Sequence, residues 1–246
     1  MNAEIAIVCT TGLTTAPIRQ LVVSIQNAHV SPIKVKSPVM AKNDEIAVSN
    51  RERLDSLGIL GINSMSSPGS GKTTLLEAMA RYFGETIVVI EGDLQTRRDA
   101  ERIEKAGCLA YQIETHGSCH LDAKAVYDAM AHLPLDPVKH RLLVIENVGN
   151  MICPSGYDLG ERLRVGLLSL PEGDDKVLKY PSLFSRISVL VTTKIDLAPF
   201  LDFDIERAEN ECRSLRPDAQ TFRLSARTRD GVKEFCSFLE SCIGTD

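Results

Sequence analysis

A chain of 246 residues, 43% hydrophobic and 25% charged, can bury a full core and fits one large soluble domain with or without an extension. Its formal charge of −5 offers no cationic face to neutralise a phosphate backbone, which argues against nucleic acid as a partner. Seven cysteines without framework spacing, an opening with no secretory pattern and no apolar run near the ~20 residues of a bilayer span give the expectation of a reduced, cytoplasmic protein with no membrane partner.

In chain order, residues 1–36 hold two apolar stretches, IAIVCT and IRQLVVSI, around a Thr-rich turn, and read as an N-terminal extension of unknown role. Ser31–Lys36 is linker-like, so a domain is expected over 37–246, with Ala41–Gly58 as a charged amphipathic lead-in helix. Six strands are then predicted: GILGINSM, TIVVIEGD, CLAYQIET, RLLVIENV, ISVLVTTKID and AQTFRLSA. Helical spacing runs over Thr73–Phe83, Thr96–Ala106, Leu121–His132, Phe203–Leu215 and Val232–Cys242. Strand–helix alternation means an α/β fold with helices on both faces of a mostly parallel central sheet, and ligands in such sheets bind beyond the carboxyl ends of the strands.

The first strand runs into SSPGSGKTT, Ser66–Thr74, and a helix follows. This is a phosphate cradle: Gly69 and Gly71 let backbone amides turn inward with those of Ser70 and Thr74, Lys72 supplies a cation, and the Thr73 hydroxyl suits Mg²⁺. The fold is therefore expected to be a three-layer P-loop NTPase, although Ser66 stands where the pattern has its first glycine. Asp93, closing VVIEGD, is a second Mg²⁺ candidate and the nearest candidate for a general base by placement; a turn or helix cap is its bland alternative. Glu146 and Gly149 of ENVG stand where such enzymes place an acid and a glycine whose amide senses the γ-phosphate, or form a plain turn. TKID addresses the base: Asp196 can accept from both guanine N–H groups, which adenine cannot match, and this points to GTP over ATP and away from an ATP-dependent kinase. Lys194 lies in the same motif, but Thr193 replaces the usual Asn that ties the base to the P-loop, so weaker specificity is expected. Ser225 and Ala226 follow the last strand, where a backbone amide can meet the guanine oxygen.

ETHGSCHLDA, residues 114–123, sets Cys119 beside His120 with His116 upstream, and taken alone it fits a metal site, a catalytic pair or two ordinary residues at a helix start. The surrounding motifs bear on that choice. NDEIAVSNR, SSPGSGKTTLLE, EGDLQTRRDAERI, SCHLDA, ENVGNMICPSGYDLGE and EGDDKVLKYP together resemble the HypB family, the dimerising P-loop GTPases that incorporate nickel in NiFe-hydrogenase maturation, over about residues 38–246. Ser66 is ordinary within that family. The resemblance implies that Cys119, His120 and Cys153 bind Ni²⁺ or Zn²⁺, with ligands of two subunits meeting when GTP binds. It also implies a homodimer, a HypA-type nickel accessory protein and a hydrogenase large-subunit precursor as partners.

Thiolate and imidazole suit both metals, and a helix start is expected to lower the Cys119 pKa; a Cys119–Cys153 disulfide and two unrelated cap and core residues are the alternatives. Lys176 or Lys179 is implied to reach nucleotide across the dimer, and a solvated charged loop is the competing reading. Residues 1–58 contain one cysteine, Cys9, and one histidine, His29, so tight N-terminal nickel binding is not expected. Two other functions compete with GTP-driven nickel delivery. One is the urease accessory nickel GTPase, whose motif spaces its ligands as Cys-Pro-His; the other is a zinc-stapled GTP-dependent dimer switch that delivers nothing.

Overall fold

The computed structural model describes residues 38–244 apart from 94–97 and 116. The extension 1–36, His116 and the start of the helix expected at Thr96 lie outside the described residues. Seven strands form one sheet in the order β3-β2-β4-β1-β5-β6-β7: β1 Leu60–Met65, β2 Ile87–Asp93, β3 Leu109–Glu114, β4 Leu142–Glu146, β5 Leu163–Ser169, β6 Val189–Thr193 and β7 Gln220–Leu224. Every pairing is parallel. The lead-in helix α1 spans Pro38–Ser56, followed by α2 Lys72–Phe83, α3 Arg98–Lys105, α4 Ala123–His132, α5 Lys176–Lys179, α6 Pro181–Phe184, α7 Ile205–Leu215 and α8 Val232–Cys242. Among the described residues no helix is long and apolar enough to cross a membrane.

Period-two alternation divides the core. Ile87, Val89, Leu142 and Val144 face α2, α3 and α8, whereas Val88, Ile90, Leu143 and Ile145 face α1 and α4. Both faces are covered, so the strands read as continuous apolar runs. A third cluster, with Leu168, Leu190, Phe184 and Cys212, seals the β5–β6 side under α5–α7.

The fold departs from the sequence reading at β5, which brings the strand count from six to seven. LRVGLLS was hidden because arginines alternate through its start and Gly166 interrupts it. That glycine packs closely, since a Cβ there would sit 3.1 Å from the Ile187 side chain. The helix expected from Leu121 begins instead at Ala123, where the Asp122 carboxylate caps it by accepting from the Ala125 amide at 2.8 Å.

Helix α1 fixes the entry to α4. Asn50 Nδ2 donates to the carbonyls of Ala123 (2.8 Å) and Leu159 (2.9 Å). Asn43 accepts from the Ala123 amide at 2.9 Å and donates to the Asp158 carbonyl, and Arg51 pairs with the Asp158 carboxylate. The segment before β5 ends on Glu161, whose carboxyl burial pushes above the ordinary range while Arg164, 2.6 Å away, opposes the shift.

Gly160 makes this clasp possible. At φ +95° it favours glycine, and a Cβ would lie 2.5 Å from Asn50 Cβ and 2.7 Å from the Ala47 carbonyl oxygen. Gly160→Ala is expected to destabilise the protein by about 2–4 kcal/mol in urea unfolding, through strain and overpacking together. A midpoint unchanged from wild type would contradict this account of the clasp.

Candidate functional site

The cradle forms where β1 meets α2. Gly69 (φ 75°) and Gly71 (φ 97°) occupy the left-handed region, which turns the backbone around a cavity of about 450 Å³. That cavity is lined by the P-loop and by residues from the ends of β2 and β4. Lys72 is buried and donates to Ser66 Oγ at 2.9 Å, and the Ser66 and Ser70 hydroxyls also contact each other. Ser66 thus contributes a hydroxyl contact that a glycine at this position would lack.

Thr73 donates to Glu146 Oε1 at 3.1 Å. Glu146 lies in register with Glu91 on the neighbouring strand; both are buried and both line the cavity. Two carboxylates and a hydroxyl form an all-oxygen donor set whose like charges a divalent cation would relieve, and this fits Mg²⁺. Asp93 ends β2 two residues beyond Glu91, and its side chain lies outside the described residues. Sequence reasoning missed Glu91; the available signal was a carboxylate at the end of an otherwise apolar run, two positions before Asp93.

Gly149 lies against the P-loop so closely that a Cβ would stand 3.0 Å from Pro68 Cα and N. The loop leaving β4 therefore comes close to the P-loop at a position where a side chain would crowd Pro68.

A second cavity of about 220 Å³ adjoins the first and shares Gly71, Thr74 and Lys194 with it. Asp196, Ser225 and Ala226 line it, and Ser225 Oγ donates to Asp196 Oδ1 at 2.6 Å. The TKID segment reaches the P-loop without the usual Asn. The Thr193 hydroxyl donates to the Ser70 carbonyl at 2.7 Å, and Lys194, held at φ 60°, donates to the Gly69 carbonyl at 2.7 Å, so TKID is tied to the P-loop twice.

Cys119 and His120 converge with Cys153, remote from them in sequence, with donor atoms all within 4.8 Å of one another. Asn150 Oδ1 shapes the turn that presents Cys153, accepting from the amides of Ile152 (2.8 Å) and Cys153 (3.4 Å). The His120 ring stacks on Tyr157 with centroids 4.0 Å apart, and Cys119 Sγ lies 3.6 Å from His120 Nδ1. Both cysteines are free thiols, which leaves the disulfide alternative without support. The expected lowering of the Cys119 pKa is reversed. Because α4 starts only at Ala123, Cys119 stands ahead of the cap, and its hydrogen bond with Cys153 is the largest influence raising the thiol. Burial lowers the His120 pKa, with Asp122 opposing, which favours the neutral ring that ligates metals. Two soft sulfurs and one imidazole at a largely exposed position form an open three-donor set suited to Ni²⁺ or Zn²⁺. Lys176 and Lys179 lie on the short α5, Lys179 exposed and Lys176 3.9 Å from Asp175.

The parallel sheet, the cradle at the end of β1 and the paired acids define a P-loop nucleoside triphosphatase. Residues 62–223 match the CobW/HypB/UreG nucleotide-binding domain, and the chain belongs to that family. It is 43% identical over 215 residues to the hydrogenase maturation factor HypB of Azotobacter vinelandii, covering 87% of this chain and 70% of that protein. It is 41% identical over 216 residues to the hydrogenase/urease maturation factor HypB of Helicobacter hepaticus, covering 87% and 89%. Among solved structures, HypB from Helicobacter pylori in complex with nickel superposes with a TM-score of 0.78 at 42% identity, covering 81% of this chain and 94% of that one.

Thr193→Val keeps the side-chain shape and removes the hydroxyl, leaving the buried Ser70 without that donor on its carbonyl. Nucleotide affinity measured by calorimetry is expected to fall about 5- to 30-fold. Wild-type affinity in this variant would contradict the role given to the tie.

Proposed function

We propose that the chain is a GTP-hydrolysing nickel metallochaperone acting in NiFe-hydrogenase maturation, with residues 37–246 as its GTPase domain. The observation that carries this reading is the convergence of Cys119 and His120 with Cys153, which lies four residues beyond Gly149 on the segment that lines the phosphate cavity. The nickel complex of the H. pylori relative supports the choice of cargo. Asp196, with Ser225 behind it, presents the acceptor that guanine requires, and Ala226 lines the same pocket.

In this reading Lys72 leaves Ser66 for the β- and γ-phosphate oxygens, while the amides of Gly69, Ser70, Gly71, Thr73 and Thr74 cradle the phosphates. Mg²⁺ held by Thr73 and Asp93, with Glu146 and Glu91 behind, would neutralise charge on the transferring group. The Gly149 amide senses the γ-phosphate, and Asp93 is the candidate to orient the attacking water. Catalysis is then positional and electrostatic.

Nickel is the substrate of delivery. Three donors per chain leave coordination positions for a second copy or a recipient, and the exposed Ile152 beside Cys153 suits a GTP-dependent homodimer contact. A HypA-type protein and a hydrogenase large-subunit precursor are the partners this reading implies, in the cytoplasm. A urease target is kept as the second reading because the H. hepaticus relative carries both names.

The test is nickel and zinc binding to wild type and to Cys119→Ala, followed with the monomer and dimer populations in GDP and in a non-hydrolysable GTP analogue. One thiolate fewer is expected to weaken nickel binding at least tenfold and to reduce metal-bound dimer in the GTP-like state. Equal nickel affinity in the two proteins would overturn the assignment, and metal retained unchanged through turnover would favour a zinc-stapled switch.

A further inference from the structure

Two of the three metal donors, Cys119 and His120, do not lie on the loop that contacts the P-loop, whereas Cys153 does. The connection between the two halves runs through Asn147. This residue follows Glu146, precedes Gly149 by two positions, lines the phosphate cavity and is 1% exposed. Its Oδ1 accepts from the Leu121 amide at 3.1 Å and from the Val148 amide at 3.0 Å. Its Nδ2 donates to Asn63 Oδ1 on β1 at 3.3 Å, and its own amide donates to the Ser64 carbonyl at 3.0 Å, two residues before the cradle begins.

Leu121 adjoins His120 and is held from a second side. Gly92, near the end of β2, has no side chain because a Cβ there would meet Leu121 Cδ1 and Cγ at 2.8 Å. The Leu121 side chain is buried in that space and its amide rests on Asn147. Beyond it, the Asn43 and Asn50 clasp fixes Ala123. Cys119 and His120 therefore extend from an anchored residue, and one of its anchors belongs to the loop expected to respond to the γ-phosphate.

We infer that Asn147 is the positioning residue that transmits nucleotide state to the thiol–imidazole loop, so that both halves of the metal site move with the same segment. Displacing residues 146–149 shifts Cys153 along the chain and shifts His120 through the Asn147–Leu121 hydrogen bond. The buried carboxamide can do this because Leu121 N–H, once desolvated, strongly favours keeping an acceptor and follows the one it has. This inference rests on the proposed function, since it concerns how nucleotide and nickel are coupled.

Two measurements test it. The first is the ratio of Ni²⁺ affinities in a non-hydrolysable GTP analogue and in GDP, for wild type and Asn147→Ala. Wild type is expected to show a ratio of about tenfold, and the variant a ratio within about twofold of one. The second is hydrogen exchange at the Leu121 amide of wild type, expected to differ at least threefold between the two nucleotides. It keeps the inference testable if the variant does not fold.

A variant that keeps the wild-type ratio overturns the relay, as does a Leu121 amide that exchanges identically in both states. A wild type that binds no nickel while Leu121 still responds to nucleotide leaves the relay standing and removes the metallochaperone reading instead.

Discussion

Seven parallel strands all end at one edge of the sheet, and the segments leaving that edge carry backbone groups that no ladder satisfies. Every functional feature of the molecule answers that constraint. After β1 the chain curls into the P-loop, and the ends of β2 and β4 place two buried carboxylates in register, Glu91 and Glu146. After β6 it tethers TKID to the cradle through Thr193 and Lys194. The thiol loop between β3 and α4 and the Cys153 loop after β4 emerge at the same edge, so residues remote in sequence become neighbours.

The proposed metal donors are held differently from the proposed nucleotide contacts. Lys72, Ser66, Ser70 and Thr193 are buried and fixed by short hydrogen bonds, as suits a pocket that must present one geometry to a charged ligand. Cys119 is exposed, Cys153 half-buried, and the His120 ring is oriented by Tyr157. The hydrogen bond to Cys153 raises the Cys119 pKa, and burial lowers that of the neighbouring His120 imidazole. In the proposed reading, exchange and coupling follow from that contrast between a rigid pocket and an accessible ligand set.

The sequence made the chemistry more legible than the packing. SSPGSGKTT and TKID stand out because phosphate and a nucleotide base demand particular residue types at short spacing, whereas SCHLDA reads as a metal site only through the motifs that surround it. β5 stayed hidden because Gly166 and the interleaved arginines break its apolar run, and no helix separates it from β4. The tie made by Thr193 was not legible because the usual motif relies on an amide, whereas here a hydroxyl at the end of β6 reaches the Ser70 carbonyl. Asn147 and Glu91 were invisible for another reason: their partners lie on other strands, and only the sheet order β2-β4-β1 brings them together. The helix starts two residues later than its spacing suggests, and the sense of the Cys119 pKa change was hidden because its largest cause is a hydrogen bond to Cys153, a residue remote in sequence.

X-ray absorption at the nickel edge, on protein loaded with one equivalent of Ni²⁺ and a non-hydrolysable GTP analogue, addresses the central claim most directly. Two sulfur scatterers with at least one imidazole per chain, altered when GDP replaces the analogue, is the result this account requires. A shell of oxygen and nitrogen without sulfur, identical in both nucleotide states, would contradict it.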